Sequence, residues 1–489
     1  QPEAGRAPTF RVQGVEAPIL RETLVGNGFR QTKDTDSLIL WSGSRISDTT
    51  YRSLDEFQKV NHFPGSTELT RKDRMWCHFH SMAKKFGRGA FDFIPETYVL
   101  PAQLEDFLAC YERTDWRWIV KPHASSRGRG IFVLRDVADL PLEEVSVVSR
   151  YVHNPLLIQG LKFDLRVYVV VTSFAPLRAY VYREGLVRFA SKPYSLKDEH
   201  IQDVYRHLTN YSINKYAPNF VENRELENDN VGHKWSFSAL NKHLRHEHID
   251  VDLMWSGIMD LIVKSLLSVE PSITAKTRDL NMQHQNCFEV YGFDVLVDEA
   301  LKPWLLEVNL SPSMQADSPL DWQIKSSLLS DVFNLVGIHH DEDRKPSVPP
   351  WGRTYGLGGF AGTATLSGGG AADADAVAGA AGAAAAPSQV RALETKDGIA
   401  VEPLALGSLS EAQLRSLAHA LEESQRSRNF VMLYPTRKAV KRYAPITEKR
   451  VRKVLPGDAA APGGAPLTAS QVLASALFGA RPLPAERPA

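Results

Sequence analysis

The pattern of apolar and polar positions divides the first part of the chain into two kinds of structure. In residues 10–95, apolar segments are separated by turn residues and include a helical spacing at 19–25 and a strand pattern at 38–41. In residues 118–173, one short apolar segment follows another, with alternating polarity at 162–173. Alternation and β-branched residues favour strands. We therefore predict a small mixed α/β unit followed by a β-rich region.

Two pairs of apolar segments are separated by short turns, which is typical of β-hairpins. In the first pair, residues 178–182 and 186–191 flank a loop in which Gly185 is free to adopt a positive φ. In the second pair, residues 287–298 and 302–310 flank the turn, and both segments carry acidic residues inside apolar runs. We predict two hairpins, and the acidic residues of the second hairpin need a partner.

The last part of the chain changes in composition. Apolar residues at helical spacing in 251–267 predict a core helix. Residues 339–387 consist mainly of Gly, Ala and Pro and are too poor in large apolar side chains to pack, which predicts a disordered linker. A helix is expected in 409–425 with Ser410 as its N-cap, and residues 436–453 carry eight basic residues against one Glu. This basic segment is a candidate contact for an acidic surface.

Composition narrows the class of protein. With 489 residues, the chain is long enough for two or three folding units. Lys plus Arg and Asp plus Glu both total 57, so the overall charge provides no attraction, and we expect neither a nucleic-acid nor a membrane partner. No stretch approaches the roughly 20 apolar residues of a membrane-spanning helix. Three isolated cysteines favour a reducing compartment such as the cytoplasm.

The first candidate for chemistry is Lys121, which ends a predicted strand and precedes a glycine-containing loop. Its ammonium group can neutralise phosphate oxygens, while Gly128 and Gly130 allow backbone amides to approach an anion closely. Arg127 and Arg129 add donors that pair with phosphate. An ordinary turn with neighbouring arginines is the alternative, and these residues alone do not decide between the two.

A charged strand face is the second candidate. The two-residue period of a strand puts Lys162, Asp164 and Arg166 on one face and apolar side chains on the other. An exposed edge strand would explain these charges. However, the apolar run that follows indicates a buried strand, in which charges are paired or face a ligand. We therefore favour a functional role for this face.

The third candidate is a group of oxygen ligands on the second predicted hairpin. Glu307 and Asn309 share one strand face, and the hairpin brings Asp294 beside them. Carboxylate and amide oxygens suit Mg²⁺, which takes its other ligands from water and nucleotide phosphates. A cross-strand polar patch is the alternative, but two carboxylates among apolar neighbours repel each other without a cation. These residues favour a magnesium site.

Taken together, the motifs resemble those of one family. The segments IVKP with SSRGRGI, SRYV, LLIQGLKFDLRVYV, REGLVRFAS, HLTNYSINK, FDVLVD and LEVNLSPS are similar to the tubulin tyrosine ligase-like family of ATP-grasp ligases, and the match covers residues 38–338. The NPLLI before KFD and the SSRGRG loop look closest to the tubulin polyglutamylases. The resemblance implies an α+β ATP-grasp fold with two β-rich lobes around the nucleotide.

This resemblance, with the composition, also divides the chain into expected domains. They are an N-terminal α/β domain (1–95), a central ATP-grasp lobe (96–190), a C-terminal ATP-grasp lobe (191–338), the Gly/Ala/Pro-rich linker (339–405), a basic helical segment that is a candidate microtubule contact (406–455) and a disordered tail (456–489).

The family's ligand sites map onto this sequence position by position. The resemblance implies that Lys121 and Lys162 lie at the phosphate and adenine sides of ATP, with Arg127 and Gly128 in the covering loop. The other expected nucleotide contacts are Ser149, Arg150, Tyr151, Val152, Phe163, Asp164, Thr209 and Asn210. The expected magnesium ligands are Asp294, Glu307 and Asn309.

The expected substrate is free L-glutamate, and the implied reaction joins it to an acceptor carboxylate that ATP has activated as an acyl phosphate. The substrate positions are Arg127, Arg188, Tyr211, Ser212, Lys234 and Lys325, chiefly cations and hydroxyls that suit carboxylates. Lys121, Arg166 and Glu307 are the expected catalytic residues. Arg127 stands where chain-elongating members tend to carry Gln, which suggests a branch-initiating enzyme.

The expected protein partner is tubulin, through its acidic C-terminal tails, and the expected state is a monomer on the cytoskeleton, including that of a cilium, flagellum or basal body. Two alternatives remain open. One is a glycine or tyrosine ligase on the same scaffold. The other is a microtubule-binding protein with a vestigial nucleotide site, against which the intact Lys121, Asp294 and Glu307 argue.

Overall fold

The computed structural model describes residues 7–43, 46–123, 128–221, 231–282, 285–338 and 411–454, together with Leu473; within the last range, side chains are described for 415–447. The predicted linker (339–405), the predicted tail (456–489) apart from Leu473, Arg127 and Ser410 lie outside the described residues. In the described parts of the chain, no helix is both long enough and apolar enough to cross a membrane.

The N-terminal unit is built on a parallel sheet, which we call the N-terminal sheet, with strand order β2-β1-β3-β4. Its strands are β1 (Thr9–Gln13), β2 (Arg30–Gln31), β3 (Ile39–Ser42) and β4 (Lys59–Val60), and its helices are α1 (Pro18–Gly26), α2 (Asp48–Arg52), α3 (Thr67–Thr70) and α4 (Lys72–Phe86). The predicted helix at 19–25 and strand at 38–41 are confirmed. A mixed α/β unit therefore opens the chain.

An antiparallel sheet, which we call the small sheet, follows with strand order β5-β8-β6-β7. It contains β5 (Thr97–Leu100), β6 (Trp118–Pro122), β7 (Phe132–Leu134) and β8 (Ser146–Arg150), with α5 (Leu104–Arg113) packed on it. Phe107 of α5 and Trp118 of β6 meet edge to face with ring centroids 5.1 Å apart. The strands predicted from these apolar segments are confirmed.

The central sheet is arranged around β10, which pairs with β9, β11, β12 and β14. Its strands are β9 (Leu157–Ile158), β10 (Leu161–Phe174), β11 (Leu177–Tyr182), β12 (Leu186–Phe189), β13 (Lys234–Ser236), β14 (Glu289–Val297), β15 (Pro303–Asn309) and β16 (Phe430–Tyr434). The helices around it are α6 (Val204–His207), α7 (Tyr211–Asn214), α8 (Phe237–His246), α9 (Val251–Asp279), α10 (Pro319–Val336), α11 (Glu411–Gln425) and α12 (Arg437–Val454).

Alternation along β10 explains why this strand is buried on both faces. Leu165, Val167 and Val169 join the core cluster that includes the apolar face of α9. Tyr168 and Val170 point to the other face, into the cluster formed with α10 and α1. Because helices cover both faces, the strand reads as a nearly continuous apolar run. The predicted core helix is confirmed and extends to Asp279.

The first predicted hairpin is wrong. Strands β11 and β12 do not pair with each other; both run antiparallel to β10, as consecutive stretches along it. Gly185, between them, does not have a positive φ. Glycine is needed here because the backbone packs closely against its neighbours: a Cβ would collide with the ring of Phe237 and the carbonyl of Arg166. The second predicted hairpin, formed by β14 and β15, is confirmed.

The predicted boundary after residue 190 falls inside the central sheet. Strand β12 ends at Phe189 and pairs with β13, which begins at Lys234. Strand β10, placed in the preceding lobe, pairs along most of its length with β14. The two sides of this boundary therefore form one sheet, and it is the small sheet that stands apart from it.

The C-terminal part is also more integrated than the sequence predicted. The predicted helices are present as α11 and α12, but β16 between them was missed, and it extends the central sheet by pairing with β11. From α12, Val440, Tyr443 and Ile446 enter the main core cluster, and Tyr443 donates a hydrogen bond to Asp260 of α9 at 2.7 Å. The described part of this segment is therefore packed into the fold and does not form a separate basic appendage.

Candidate active site

Two adjoining cavities lie at one end of the central sheet. The first, which we call the cleft, has about 1010 Å³ of open space and separates the small sheet from the central sheet. The second, which we call the cationic cavity, has about 1940 Å³ and lies between the central sheet, α7, α10 and the N-terminal unit. Asn210 and Glu307 line both, so the two spaces meet at these side chains.

The cleft brings together most of the residues expected to contact a nucleotide. Apolar walls come from Ile119 and Val147 on the small sheet and from Leu296 and Leu305 on the central sheet. The expected nucleotide residues that line it are Lys121, Ser149, Arg150, Tyr151, Val152, Lys162, Asp164, Thr209 and Asn210. A slot with flat apolar walls and a polar end has the shape and chemistry for a nucleoside phosphate.

Of the expected nucleotide residues that the structure describes, two do not line the cleft. Phe163 points from β10 into the main core, as the two-residue period of the strand requires when Lys162 and Asp164 face the cavity. Gly128 has φ of +73°, and a Cβ there would lie 2.6 Å from Ile213 and 2.9 Å from Asn210. Glycine is therefore required where this loop crosses the end of the cleft.

Two lysines of the cleft, the buried Lys162 and the partly buried Lys121, have no carboxylate at ion-pair distance among the described residues. Lys162 donates a hydrogen bond to the hydroxyl of Tyr151 at 3.0 Å, and that hydroxyl also contacts His207 at 2.8 Å. Burial lowers the pKa of Lys162 to about 7, an effect that Asp164 opposes and Lys121 reinforces. Burial also lowers the pKa of Lys121 to about 8. An anionic ligand would supply the missing charge and favour the protonated amines.

The bottom of the cleft is a ladder of alternating charges set by strand register. Asp164 faces Arg188 across β10 and β12, and Arg166 faces Asp294 across β10 and β14. The Arg188 guanidinium forms ion pairs with Asp164 at 2.8 Å and with Asp294 at 2.9 Å. The Arg166 guanidinium forms one with Asp294 at 2.6 Å. Burial alone would raise the pKa of Asp294, but the two guanidinium groups outweigh it and keep that pKa well below its usual range. Asp294 is thus kept ionised by two cations, whereas burial raises the pKa of Asp164 despite its pairing with Arg188.

The oxygen ligands predicted on the second hairpin do meet. Asp294 lies opposite Glu307 in the register of β14 and β15, and the Asn309 side-chain amide donates to Asp294 at 3.3 Å. Among the described residues, no group of three His, Cys, Asp or Glu side chains is close enough to hold a metal ion. Two carboxylates and one amide fit Mg²⁺, because this ion keeps several waters and takes further oxygens from nucleotide phosphates.

Lys72 is a site residue that sequence reasoning missed. It stands at the start of α4, lines the cleft, and forms an ion pair with Glu307 at 2.8 Å. Its charge also contributes to the lowered pKa of Lys121. No local motif marks this lysine. Only the docking of the N-terminal unit against the central sheet brings Lys72 to Glu307, one of the expected magnesium ligands.

The cationic cavity collects the residues expected to hold an amino acid. Its lining includes Arg188, Tyr211, Ser212, Lys234 and Lys325, together with Arg166 and Asn309. The Nζ atom of Lys234 lies 3.8 Å from the centre of the Tyr211 ring, an attractive cation–π arrangement. Four cations at one end of a cavity provide donors for the carboxylates of a dicarboxylic amino acid.

Asp321 is the second residue that sequence reasoning missed. This fully buried carboxylate on α10 accepts from Lys234 and lies 3.2 Å from Lys325, one helical turn away. Burial lowers the pKa of both lysines, and Asp321 opposes that effect. The spacing of Asp321 and Lys325 was visible in the sequence. Their common partner Lys234, on β13, was not.

The comparisons with known proteins agree with this geometry. The sequence profile of the Tubulin-tyrosine ligase family matches residues 51–346. Tubulin polyglutamylase TTLL5 of Homo sapiens is 43% identical over 345 residues, which cover 70% of this chain and 27% of that protein. Tubulin monoglutamylase TTLL4 of Mus musculus is 40% identical over 337 residues, 69% of this chain and 28% of that protein.

A shorter relative shows a similar identity over a similar share of this chain. Tubulin polyglutamylase ttll-5 of Caenorhabditis elegans is 43% identical over 347 residues, which cover 68% of this chain and 47% of that protein. The chain therefore spans between about a quarter and about half of the length of these relatives. The mixed helix and sheet architecture, the order of the motifs and the profile match all lead to one family. The chain belongs to the Tubulin-tyrosine ligase family.

Proposed function

We propose that this protein is an ATP- and magnesium-dependent ATP-grasp ligase that adds glutamate, through an isopeptide bond, to a glutamate side chain of a tubulin tail. The observation that carries the proposal is the junction of the cleft and the cationic cavity at Glu307 and Asn210. A phosphoryl group at the end of the cleft would reach a carboxylate in the neighbouring space. The names of the relatives, tubulin polyglutamylase and monoglutamylase, support the substrate class.

In the first proposed step, an acceptor carboxylate oxygen bonds to the terminal phosphorus of ATP, and ADP leaves. Lys121 and Lys72, at the Glu307 end of the cleft, would neutralise the phosphate oxygens, and Arg166 would carry part of the charge on the transferring group. Asp294, Glu307 and Asn309 would hold Mg²⁺, which supplies further charge neutralisation between phosphate oxygens. Lys162 and the hinge residues 149–152 would hold the nucleoside end.

In the second proposed step, the amino group of free glutamate attacks the acyl carbon, phosphate leaves, and the nitrogen loses a proton as the isopeptide bond forms. Arg188, Lys234 and Lys325 would hold the carboxylates of the incoming amino acid, and Tyr211 and Ser212 would add hydroxyl donors. Since both steps need an acyl group at the junction of the two cavities, these residues act mainly by positioning.

We propose that α12 provides a contact for the acceptor protein. The apolar side of this helix is buried, while Arg437, Lys438 and Lys441 remain exposed. Such a face attracts the acidic tails of tubulin, and this supports a cytoskeletal location, including that of a cilium. The proposed contact of α12 is tested with the double variant Lys438→Glu/Lys441→Glu, which should weaken microtubule binding several-fold at low salt. Arg30→Glu/Lys33→Glu, on the exposed edge of the N-terminal sheet, is the matched control and should bind normally.

The activity is tested with purified protein, ATP, Mg²⁺, microtubules and labelled Glu, Gly or Tyr. We expect label from Glu alone, ADP formation in proportion, and loss of both in Glu307→Gln. Incorporation of glycine or tyrosine alone would assign another ligase of the same scaffold. If Glu307→Gln left microtubule binding unchanged and no amino acid were incorporated by either protein, a binding protein with a vestigial site would replace the proposal.

The number of glutamates added tests the finer point. We propose that this enzyme initiates branches as a monomer, on the basis of Arg127 and of the monoglutamylase among the relatives. Mass spectrometry of tubulin tails during the first turnovers should then show single glutamates before any chain of two or more. Rapid growth of chains on tails that already carry one glutamate, with unmodified tails left over, would assign elongation.

A further inference from the structure

A third cavity lies away from the candidate active site, where the N-terminal sheet, the central sheet and α11 meet. It has about 350 Å³ of space between its lining atoms, part of which is open to solvent, and we call it the Lys59 cavity. Its polar lining comes from distant parts of the chain and includes Lys59, Thr172, Arg178, Gln285, Glu423 and Arg426. None of these residues takes part in the proposed ligase reaction.

Lys59 is the unusual group in this cavity. It lies on β4, is 6% exposed, and its Nζ atom donates to the backbone carbonyl of Gln285 at 2.7 Å. Among the described residues, no carboxylate lies within ion-pair distance of it. A lysine ammonium has three donors and a full charge, so one carbonyl does not compensate for its removal from water. Burial accordingly lowers the pKa of Lys59 to about 8.

The other charges in the cavity are already paired. Arg178 donates to Glu423 at 3.0 Å, and Arg426 lies 3.5 Å from Glu422. Glu423 is not at ion-pair distance from Lys59: its Oε2 atom also accepts from Thr172 at 2.9 Å and from Tyr180 at 3.1 Å, and its charge offsets only part of the effect of burial on the pKa of Lys59. The buried Nε–H of Arg426 has no hydrogen-bond acceptor among the described residues. Among the described residues, three cations line the cavity (Lys59, Arg178 and Arg426) against two nearby carboxylates (Glu423 in the lining and Glu422 beside Arg426), and Arg426 Nε and Glu422 Oε2 are both buried without a hydrogen bond.

We propose that the Lys59 cavity binds a small oxyanion of the size and charge of phosphate. Such an anion would accept hydrogen bonds from Lys59 and from the guanidinium of Arg426, which come from the N-terminal sheet and from α11. It would thereby tie the C-terminal segment, whose strand β16 and helix α12 follow α11, to the N-terminal unit. The site does not depend on the proposed ligase activity, since no residue is shared with the cleft or the cationic cavity.

The test is thermal unfolding of the full chain in sodium chloride and in sodium phosphate at equal ionic strength and pH 7, with a saturating non-hydrolysable ATP analogue to occupy the cleft. Wild-type protein should show a saturable rise in Tm with phosphate, as expected for a ligand of the folded state. Acetate at the same concentrations separates a general carboxylate site from a phosphate site, and a smaller rise is expected with it.

Substitutions assign the effect to this cavity. Lys59→Met should bind phosphate at least tenfold more weakly and, because it removes a buried unpaired charge, should be at least as stable as wild type in chloride. Arg426→Gln, which is partly exposed and so less disruptive, should also weaken the phosphate response. Lys264→Met is the matched control: it removes another shielded lysine, which is paired with Asp260, and should leave the phosphate response intact.

Two results would overturn the proposal. If the phosphate response survives in both Lys59→Met and Arg426→Gln, the anion binds elsewhere. If Lys59→Met destabilises the protein equally in chloride and in phosphate, and wild type shows no response, then Lys59 is already neutralised within the chain and the cavity is not a ligand site.

Discussion

The cleft and the cationic cavity contain similar residue types but differ in whether their lysines are paired with carboxylates. In the cleft, the partly buried Lys121 and the buried Lys162 have no carboxylate at ion-pair distance among the described residues, and their pKa values fall to about 8 and 7. In the cationic cavity, Asp321 lies against both Lys234 and Lys325. Lys121 and Lys162 of the cleft can thus neutralise an anionic ligand. In the cationic cavity, the carboxylate of Asp321 already holds the lysine side chains in place.

This difference follows the proposed ligands. A nucleotide triphosphate brings several negative charges and can neutralise desolvated lysines by itself. An amino acid brings an ammonium group as well as carboxylates, so a cavity with unpaired cations only would repel part of it. Internal pairing also fixes the lysine side chains before the substrate arrives, which reduces the entropy lost on binding.

The largest expected effect tests the cleft. Lys121→Met should lower the rate of glutamate incorporation by about a thousandfold, because the transferring phosphoryl group loses a neutralising charge. The free energy of unfolding should stay the same or rise, since a buried unpaired cation is removed. Single-turnover incorporation and urea unfolding measure the two quantities. Loss of stability together with activity would mean that Lys121 is paired in solution, and Lys264→Met is the control for a lysine outside the cavities.

The next prediction tests the cationic cavity. Asp321→Asn should destabilise the protein by about 3 kcal/mol, because breaking a buried ion pair on one side leaves charge without a partner. Urea denaturation at pH 7 measures this change. The isosteric amide keeps the volume, so packing is not the cause. A change below about 1 kcal/mol, the range of an exposed ion pair, would show that water reaches this group and would remove the contrast between the cavities.

A third prediction separates the ligands of the two cavities. Lys234→Gln should raise the KM for glutamate by about tenfold to a hundredfold, the cost of one charge-assisted hydrogen bond, and leave nucleotide affinity unchanged. Lys162→Met should weaken nucleotide affinity and leave the KM for glutamate unchanged. Initial rates at varied glutamate and varied ATP measure both constants. If either variant changed both constants equally, the two cavities would act as one site.

The last prediction concerns pH. In the nucleotide-free protein, Lys162 loses its proton above pH about 7 and Lys121 above about 8. Affinity for an ATP analogue should therefore fall by about tenfold per pH unit for each deprotonated lysine as pH rises from 7 to 9. Lys162→Met should flatten the lower part of this profile. Calorimetric titration measures it.

The same pKa shifts have the opposite effect on stability. Both lysines have folded-state pKa values below the value of about 10.5 expected in the unfolded chain, so between pH 7 and 10 the unfolded state binds more protons. Stability from these two groups should rise with pH over this window while nucleotide affinity falls. Parallel slopes of stability and affinity would contradict the assignment of the pKa values to unpaired buried lysines.

Several elements could be predicted because their causes are local. The two-residue period of β10 correctly put Lys162 and Asp164 on one face and Phe163 in the core. The second hairpin correctly put Asp294 opposite Glu307, because a short turn between apolar segments leaves few possible registers. Strand β16 was missed, although its apolar run from Phe430 to Tyr434 was visible, because the surrounding helical pattern dominated the interpretation.

The order of residues by itself determined the family, the strand faces and the hairpin that carries the metal-type ligands, since these depend on neighbours a few positions apart. Tertiary structure decided which charges are paired. Lys72 reaches Glu307, and Asp321 joins Lys234 to Lys325, only because distant segments pack together. The same packing leaves Lys59 without a carboxylate partner in the described part of the chain. Such contacts act over a few ångströms in space and have no fixed spacing along the chain, so no periodicity or motif records them.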